Sequence, residues 1–273
     1  MKITKVEVFL EKAPKENPGW RPVLCRVYTD AGIYGDGEAA LAYGIAAPAA
    51  FGMVKDLAKL IIGMDPLDNE VVWDKLYKST FWGQNGGPVI FAGISALDIA
   101  LWDIKGKYFK VPIYKLLGGK RRDNLRTYAS QLTYGWGPGT NHKCCKPEDY
   151  AENCKIAVAQ GYDCVKLDFF DWDVDGTVWN SPGDFERGIP MVGEVQCRLL
   201  NPYYVKVVED RVRACRKAIG PDVDIIVENH SIPDANSAIQ LGRVLEKYNI
   251  FYFEEPNTPS PKTAKLISEK LTM

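Results

Sequence analysis

Val223-Asp224-Ile225-Ile226-Val227-Glu228-Asn229-His230 reads as a short strand over Val223 to Glu228 whose end brings a carboxylate, an amide and an imidazole together. A helix precedes it, from Tyr203 to Ala218 and closed by Gly220, and another follows from about Pro233 to Tyr248. The same unit recurs on both sides. Upstream, Leu125 to Leu132 is a strand candidate, Pro147 to Gln160 a helix with Gly161 beyond its end, and Cys164-Val165-Lys166-Leu167-Asp168 a strand. Downstream, the strand Ile250 to Glu254 leads into a last helix from about Pro261 to Leu271. Four strands alternating with four helices predict a parallel sheet, either doubly wound or a barrel.

Ahead of Leu116-Leu117-Gly118-Gly119 the pattern is different. Met1 to Leu10 alternates apolar and charged residues as a half-buried strand does. Val23 to Thr29 is a second strand, Asp30-Ala31-Gly32 a turn, and Tyr34-Gly35-Asp36-Gly37-Glu38-Ala39 completes an antiparallel meander. Helical spacing follows from Ile45 to Gly63, then a helix starting near Asp65-Pro66. A third runs from about Pro88 to Lys107, with Ile90, Phe91, Ile94, Leu97, Ile99, Leu101 and Trp102 as a broad apolar face. Strands first and helices after predict an α+β domain over 1–118, ahead of a βα domain over 119–273.

The 273 residues are 46% hydrophobic, 11% aromatic and 25% charged, which supports large cores and excludes disordered or low-complexity classes. Lys plus Arg (34) nearly cancels Asp plus Glu (35), so the net charge of -1 gives no field for holding a nucleic-acid backbone. A small ligand or a protein partner is expected instead. The opening lacks the apolar core of a secretory signal, and no apolar run reaches the roughly 18 residues that span a bilayer. Seven scattered cysteines are expected to be reduced thiols in the cytoplasm, Cys164 and Cys215 as plain core.

Ionisable side chains gather at the C-terminal ends of three successive strands: Lys166 and Asp168, then Glu228 with His230, then Glu254 and Glu255. In parallel α/β architectures active sites are built at that edge. Glu228 and Glu254, one strand-helix-strand unit apart, suit a hard cation such as Mg²⁺, since a carboxylate pair with no cation repels. His230, two residues past Glu228, is expected on the same strand face, beside that metal and placed for general acid work. Asp171-Trp172-Asp173-Val174-Asp175-Gly176 opens like a calcium loop, but its twelfth position is Pro182 rather than Glu. The stretch 169–202 therefore reads as a long βα loop over the active-site edge. His142 with Cys144 and Cys145 lacks the paired spacing of a zinc site.

Gly93-Ile94-Ser95-Ala96-Leu97-Asp98-Ile99-Ala100-Leu101-Trp102-Asp103-Ile104-Lys105-Gly106-Lys107, followed by Val111-Pro112-Ile113-Tyr114-Lys115-Leu116-Leu117-Gly118-Gly119, resembles the capping-domain helix and crossover of the mandelate racemase branch of the enolase superfamily. Thr29-Asp30-x-Gly32-x-x-Gly35-x-Gly37-Glu38-Ala39 resembles its N-terminal hairpin, and Phe253-Glu254-Glu255-Pro256 its fourth barrel strand. The resemblance implies a capping domain on a (β/α) TIM-type barrel that binds Mg²⁺ and removes the α-proton of a carboxylate substrate. By position, Glu228, where many members have Asp, and Glu254 match two of three metal carboxylates. Lys166 matches the first lysine of the family's Lys-x-Lys, while Asp168 replaces the second. That replacement moves the likeness from racemases toward sugar-acid dehydratases, in several of which a His at the place of His230 protonates the departing hydroxide. Trp20 and Arg21 match the loop that closes over substrate. A homo-oligomer, dimer or octamer, is implied. A non-catalytic or assembly homologue and an epimerase or racemase remain the alternatives. Since a whole (β/α)₈ barrel takes about 250 residues, the 273 present are expected to hold only its first four βα units and to be inactive alone. The third metal carboxylate and a His/Asp base are then assigned to no residue here.

Overall fold

The computed structural model describes residues 1–12, 21–42, 46–137, 143–179, 199–257 and 260–273. They fall into two compact units, one over Met1–Asp123 and the other beginning at Asn124.

In the first unit β1 (Ile3–Leu10), β2 (Val23–Thr29) and β3 (Tyr34–Ala39) form an antiparallel sheet in the order β1-β2-β3. Alternation in β2 buries Val23, Cys25, Val27 and Thr29 on one face. That face is covered by α1 (Ala47–Ile61), α2 (Asn69–Ser79) and α3 (Pro88–Phe109); the short α4 (Ile113–Leu116) follows. Ile90, Ile94, Leu97, Leu101 and Ile104 recur at steps of four and three and are buried. Ile99 departs from the expected apolar face: the helical turn carries it to the exposed side. The second helix starts at Asn69 rather than at Asp65-Pro66, because Asp65 spends its side chain on the Leu67 amide and on the N-terminal ammonium, making a turn.

The hairpin glycines have a specific cause. A Cβ on Gly35 would lie 2.0 Å from the Ala100 carbonyl oxygen, and one on Gly37 2.0 Å from that of Ala96. Strand β3 thus lies directly on the backbone of α3, closer than any side chain permits.

In the second unit β4 (Cys164–Asp168), β5 (Asp224–Glu228) and β6 (Ile250–Glu254) are parallel and adjacent in that order. Their helices are α5 (Pro147–Ala159), α6 (Pro202–Ile219), α7 (Ala235–Leu245) and α8 (Pro261–Ser268). The Asn201 side chain accepts from the Tyr203 and Tyr204 amides and opens α6; Asp234 does the same for α7 through Asn236 and Ser237. The expected strand over 125–132 is reduced to one bridge, in which the Ala129 amide donates to the Cys164 carbonyl and Lys166 returns a bond to Ala129. Gln131, at φ +61°, breaks the extended backbone there, and the chain curls into a 3-10 turn over Leu132–Tyr134.

Arg211 of α6 is fully buried, and its hydrogen bonds go to backbone carbonyls rather than to a carboxylate. Its guanidinium donates to the carbonyls of Cys145, Phe169 and Trp172, between the rings of Tyr150 and Trp179. One side chain therefore pins the segment that leaves β4 to the helix beneath it. Among the described residues no helix is long and apolar enough to cross a membrane.

The close approach of β3 to α3 predicts opposite effects for two Gly→Ala changes. Gly37→Ala should lower the unfolding free energy by about 2 kcal/mol. Gly52→Ala, in α1 with open space around its Cβ position, should raise it by about 0.5–1 kcal/mol. Denaturant unfolding of the two variants checks the pair.

Candidate active site

The register of the parallel sheet places Asp168 beside Glu228 and Glu228 beside Glu254, so three carboxylates share one row at the strand ends. Lys166, Ile226 and Tyr252 form the next row inward. Strands about 4.8 Å apart bring neighbouring negative charges close enough to cost about 3 kcal/mol per pair at an effective dielectric of about 20. Positive charge has to answer them.

Lys166 supplies it. Its Nζ lies 2.8 Å from Glu228 Oε2 and 2.9 Å from Glu254 Oε2, with the lysine side chain only 12% exposed. Burial works against the ammonium, but the bonds to the two glutamates outweigh it and hold Lys166 above its ordinary value. Glu228 is held below its ordinary range: burial opposes its charge, and the Lys166 bond with the His230 amide more than offsets it. Its Oε1 accepts from the amides of Asn229 at 2.9 Å and His230 at 2.8 Å. Glu255 is exposed, so the Glu254-Glu255 pair contributes only its first member to this cluster.

His230 reaches the row by a different route from the expected one. The strand stops at Glu228, and His230 and Ser231 both take left-handed backbone, φ +47° and +59°. Strand alternation therefore does not place the imidazole; a tight turn does, anchored by the bond from Ser231 N to the Glu255 carbonyl. His230 Nδ1 lies 2.6 Å from Asp168 Oδ1. That bond raises the imidazole to about 9, while burial pushes the Asp168 carboxyl up. Held by Asp168 at Nδ1, the imidazole remains protonated at neutral pH with Nε2 as its other donor.

A further pair, absent from the residues singled out for chemistry by the sequence, stands next to this one. Thr133 Oγ1 donates to the Asp168 carbonyl and accepts from the Asp168 amide, both at 2.9 Å, which locks the turn after β4's bridge partner, Ala129, onto the end of β4. The next residue, Tyr134, donates its phenolic proton to Asp171 Oδ2 at 2.6 Å. Asp171 is buried, and burial followed by the charge of Asp168 raises it to about 7.

In the calcium-like stretch the acidic side chains bond within the chain. The Asp173 oxygens accept from Val174, Tyr203 and Trp179, and Asp175 accepts from Thr177. Among the described residues no group of three His, Cys, Asp or Glu side chains is arranged to hold a metal. Trp20, His142 and residues 180–198 of the expected loop lie outside the described residues. Arg21 belongs to the first unit, where its amide donates to the Ala42 carbonyl.

The donor chemistry at Glu228 and Glu254 fits a hard divalent cation. Two carboxylate oxygens converge on one positive centre, and Glu254 Oε2 is buried without a directed hydrogen bond despite the nearby ammonium.

Comparison with known proteins decides the family. Residues 19–118 match the mandelate racemase / muconate lactonizing enzyme N-terminal domain, and residues 149–272 match the enolase C-terminal domain-like family. The chain belongs to the mandelate racemase/muconate lactonizing enzyme branch of the enolase superfamily. A superfamily member from Salmonella Typhimurium is 44% identical with a TM-score of 0.89, covering 100% of this chain and 66% of its own. The chain is 32% identical over 234 residues to a D-gluconate dehydratase of Thermoproteus tenax, covering 86% of this chain and 40% of that one. It is 29% identical over 265 residues to a D-mannonate dehydratase of Novosphingobium aromaticivorans, covering 93% and 59%. This enolase-superfamily chain thus spans 40% and 59% of the lengths of those two curated relatives.

Removing the bridging ammonium tests the electrostatics of the row. Lys166→Met should cost about 3 kcal/mol near neutral pH, because it leaves two carboxylates facing each other partly buried. Glu228 titrates below its ordinary 4.5, so the ion pair is fully present above that value and is lost as pH falls through the lowered one. The gap between wild type and variant should therefore close in acid. Urea unfolding across that pH range checks both.

Proposed function

We propose that the strand-end site serves a sugar-acid dehydratase: removal of the proton α to the substrate carboxylate and loss of the 3-hydroxyl as water, giving a 2-keto-3-deoxy acid. The observation that carries it is the imidazole of His230, its Nδ1 2.6 Å from Asp168 Oδ1, beside a carboxylate pair suited to Mg²⁺. The enolase-superfamily relatives named as D-gluconate and D-mannonate dehydratases support the substrate class.

In this reading Glu228 and Glu254 hold the metal. Bound there, Mg²⁺ draws charge from the substrate carboxylate and acidifies the neighbouring C–H. His230 gives the proton at Nε2 to the departing hydroxyl, so that hydroxide leaves as water and the electron pair of the broken C–H bond forms the new double bond. Asp168 fixes the ring and stabilises its charge in the resting state. Lys166 keeps positive charge beside the acidic row, and a base takes the α-proton.

The bridge from Lys166 to both candidate metal ligands favours a second reading, a chain that keeps the fold and binds without turnover. Incubating the intact full-length protein with Mg²⁺ and D-gluconate, D-galactonate or D-mannonate, and assaying keto acid, separates the two. A dehydratase should form product and lose about 10²-fold or more in rate as His230→Asn. Magnesium binding with no product from any sugar acid would favour the binding protein.

A further inference from the structure

Asp171 is a buried carboxyl that forms no ion pair among the described residues; its hydrogen bond comes from the Tyr134 phenol. Taking an ionisable group out of water in this way is costly, and a neutral Asn would make the same contact to the phenol without that cost. The groups that face it are Asp168 of β4, His230 in the turn after β5, Arg211 of α6, Tyr150 of α5 and Tyr134 itself. Arg211 binds the carbonyls on either side of it, at Phe169 and Trp172, so the backbone around Asp171 is fixed. Thr133 fixes the other side, tying the turn that carries Tyr134 to Asp168 by two hydrogen bonds. The Tyr134 ring, half-buried, is steadied edge-on by Trp172 at 5.5 Å. Two rigid attachments thus hold a phenol at the end of β4, next to the carboxylate that orients His230.

We propose that Tyr134 is a substrate-contacting residue of this site, reading a hydroxyl of the sugar acid, and that Asp171 is the positioning residue that sets the sense of its hydrogen bond. This rests on the sugar-acid reading of the strand-end site. With Asp171 ionised, the phenol must donate inward and meets a ligand only through its oxygen lone pairs. With Asp171 neutral, the carboxyl proton can be given to the phenolic oxygen, and the phenolic proton is released toward the ligand. Burial and the neighbouring Asp168 place that change near pH 7. An ionised Asp171 also adds negative charge close to an anionic ligand, so binding should weaken as pH rises through that range.

Calorimetric titration of the full chain with D-gluconate, D-galactonate and D-mannonate in the presence of Mg²⁺, on either side of pH 7, tests this. Wild type should bind one of them with a Kd that rises with pH. Tyr134→Phe should bind about 5-fold more weakly, the worth of one neutral hydrogen bond, and its pH step should move upward because the bond that favours ionised Asp171 is gone. Asp171→Asn should keep affinity and lose the step. The carboxyl ¹³C resonance missing from Asp171→Asn should titrate near 7 in wild type and higher in Tyr134→Phe. Thermal melts of all three report folding. Wild-type binding with an unchanged Kd and pH step in Tyr134→Phe, or a step that survives Asp171→Asn, overturns the assignment of the pair. Absence of wild-type binding to all three sugar acids overturns the sugar-acid reading, and this assignment with it.

Discussion

Three carboxylates in one register row, Asp168, Glu228 and Glu254, are the constraint to which the second unit answers. A parallel sheet fixes their spacing, and no side-chain rotation removes the repulsion. Each is therefore met by something specific. Lys166 reaches up from the row beneath to bridge Glu228 and Glu254, the amides of Asn229 and His230 close on Glu228, and the His230 ring covers Asp168. The left-handed turn at His230 and Ser231 is strained backbone, and it persists because the charges it satisfies are worth more than the strain.

The surrounding elements bring that row to one place. Arg211 ties the segment after β4 to α6 through the Phe169 and Trp172 carbonyls, and Thr133 ties the preceding turn to Asp168. Side chains of Asn201 and Asp234 set where α6 and α7 begin. Within the first unit, Gly35 and Gly37 play the corresponding part by letting β3 rest on the backbone of α3. In both units a few polar or glycine positions fix geometry that apolar burial by itself leaves loose.

The elements that repeat strongly were legible in the sequence. Strands over Cys164–Asp168 and Ile250–Glu254 and the helix beginning at Pro147 match their periodicity and their Pro or Gly ends. So did the grouping of Lys166, Asp168, Glu228 and Glu254, since parallel strands of equal length bring their ends to one edge; His230 joins them through a left-handed turn that alternation does not foresee. Other features depend on side chains remote in sequence. Gln131 ends the strand-like run near Ala129 through its backbone conformation, which composition does not announce. Lys166 reaches both carboxylates, at 2.8 and 2.9 Å, a placement visible only once register is known. Asp171 was overlooked because an acidic loop reads as solvated, and its bond to Tyr134 spans 37 residues.

The central claim is that Glu228 and Glu254 form one cation locus, held by Lys166 when no metal is there. Substituting Mn²⁺ and locating it by its anomalous X-ray signal in crystals of the chain tests this most directly. The account predicts one manganese peak against the carboxylates of Glu228 and Glu254, with the Lys166 ammonium displaced from between them and no peak in Glu254→Gln. A peak elsewhere, or one that survives in that variant, would contradict it.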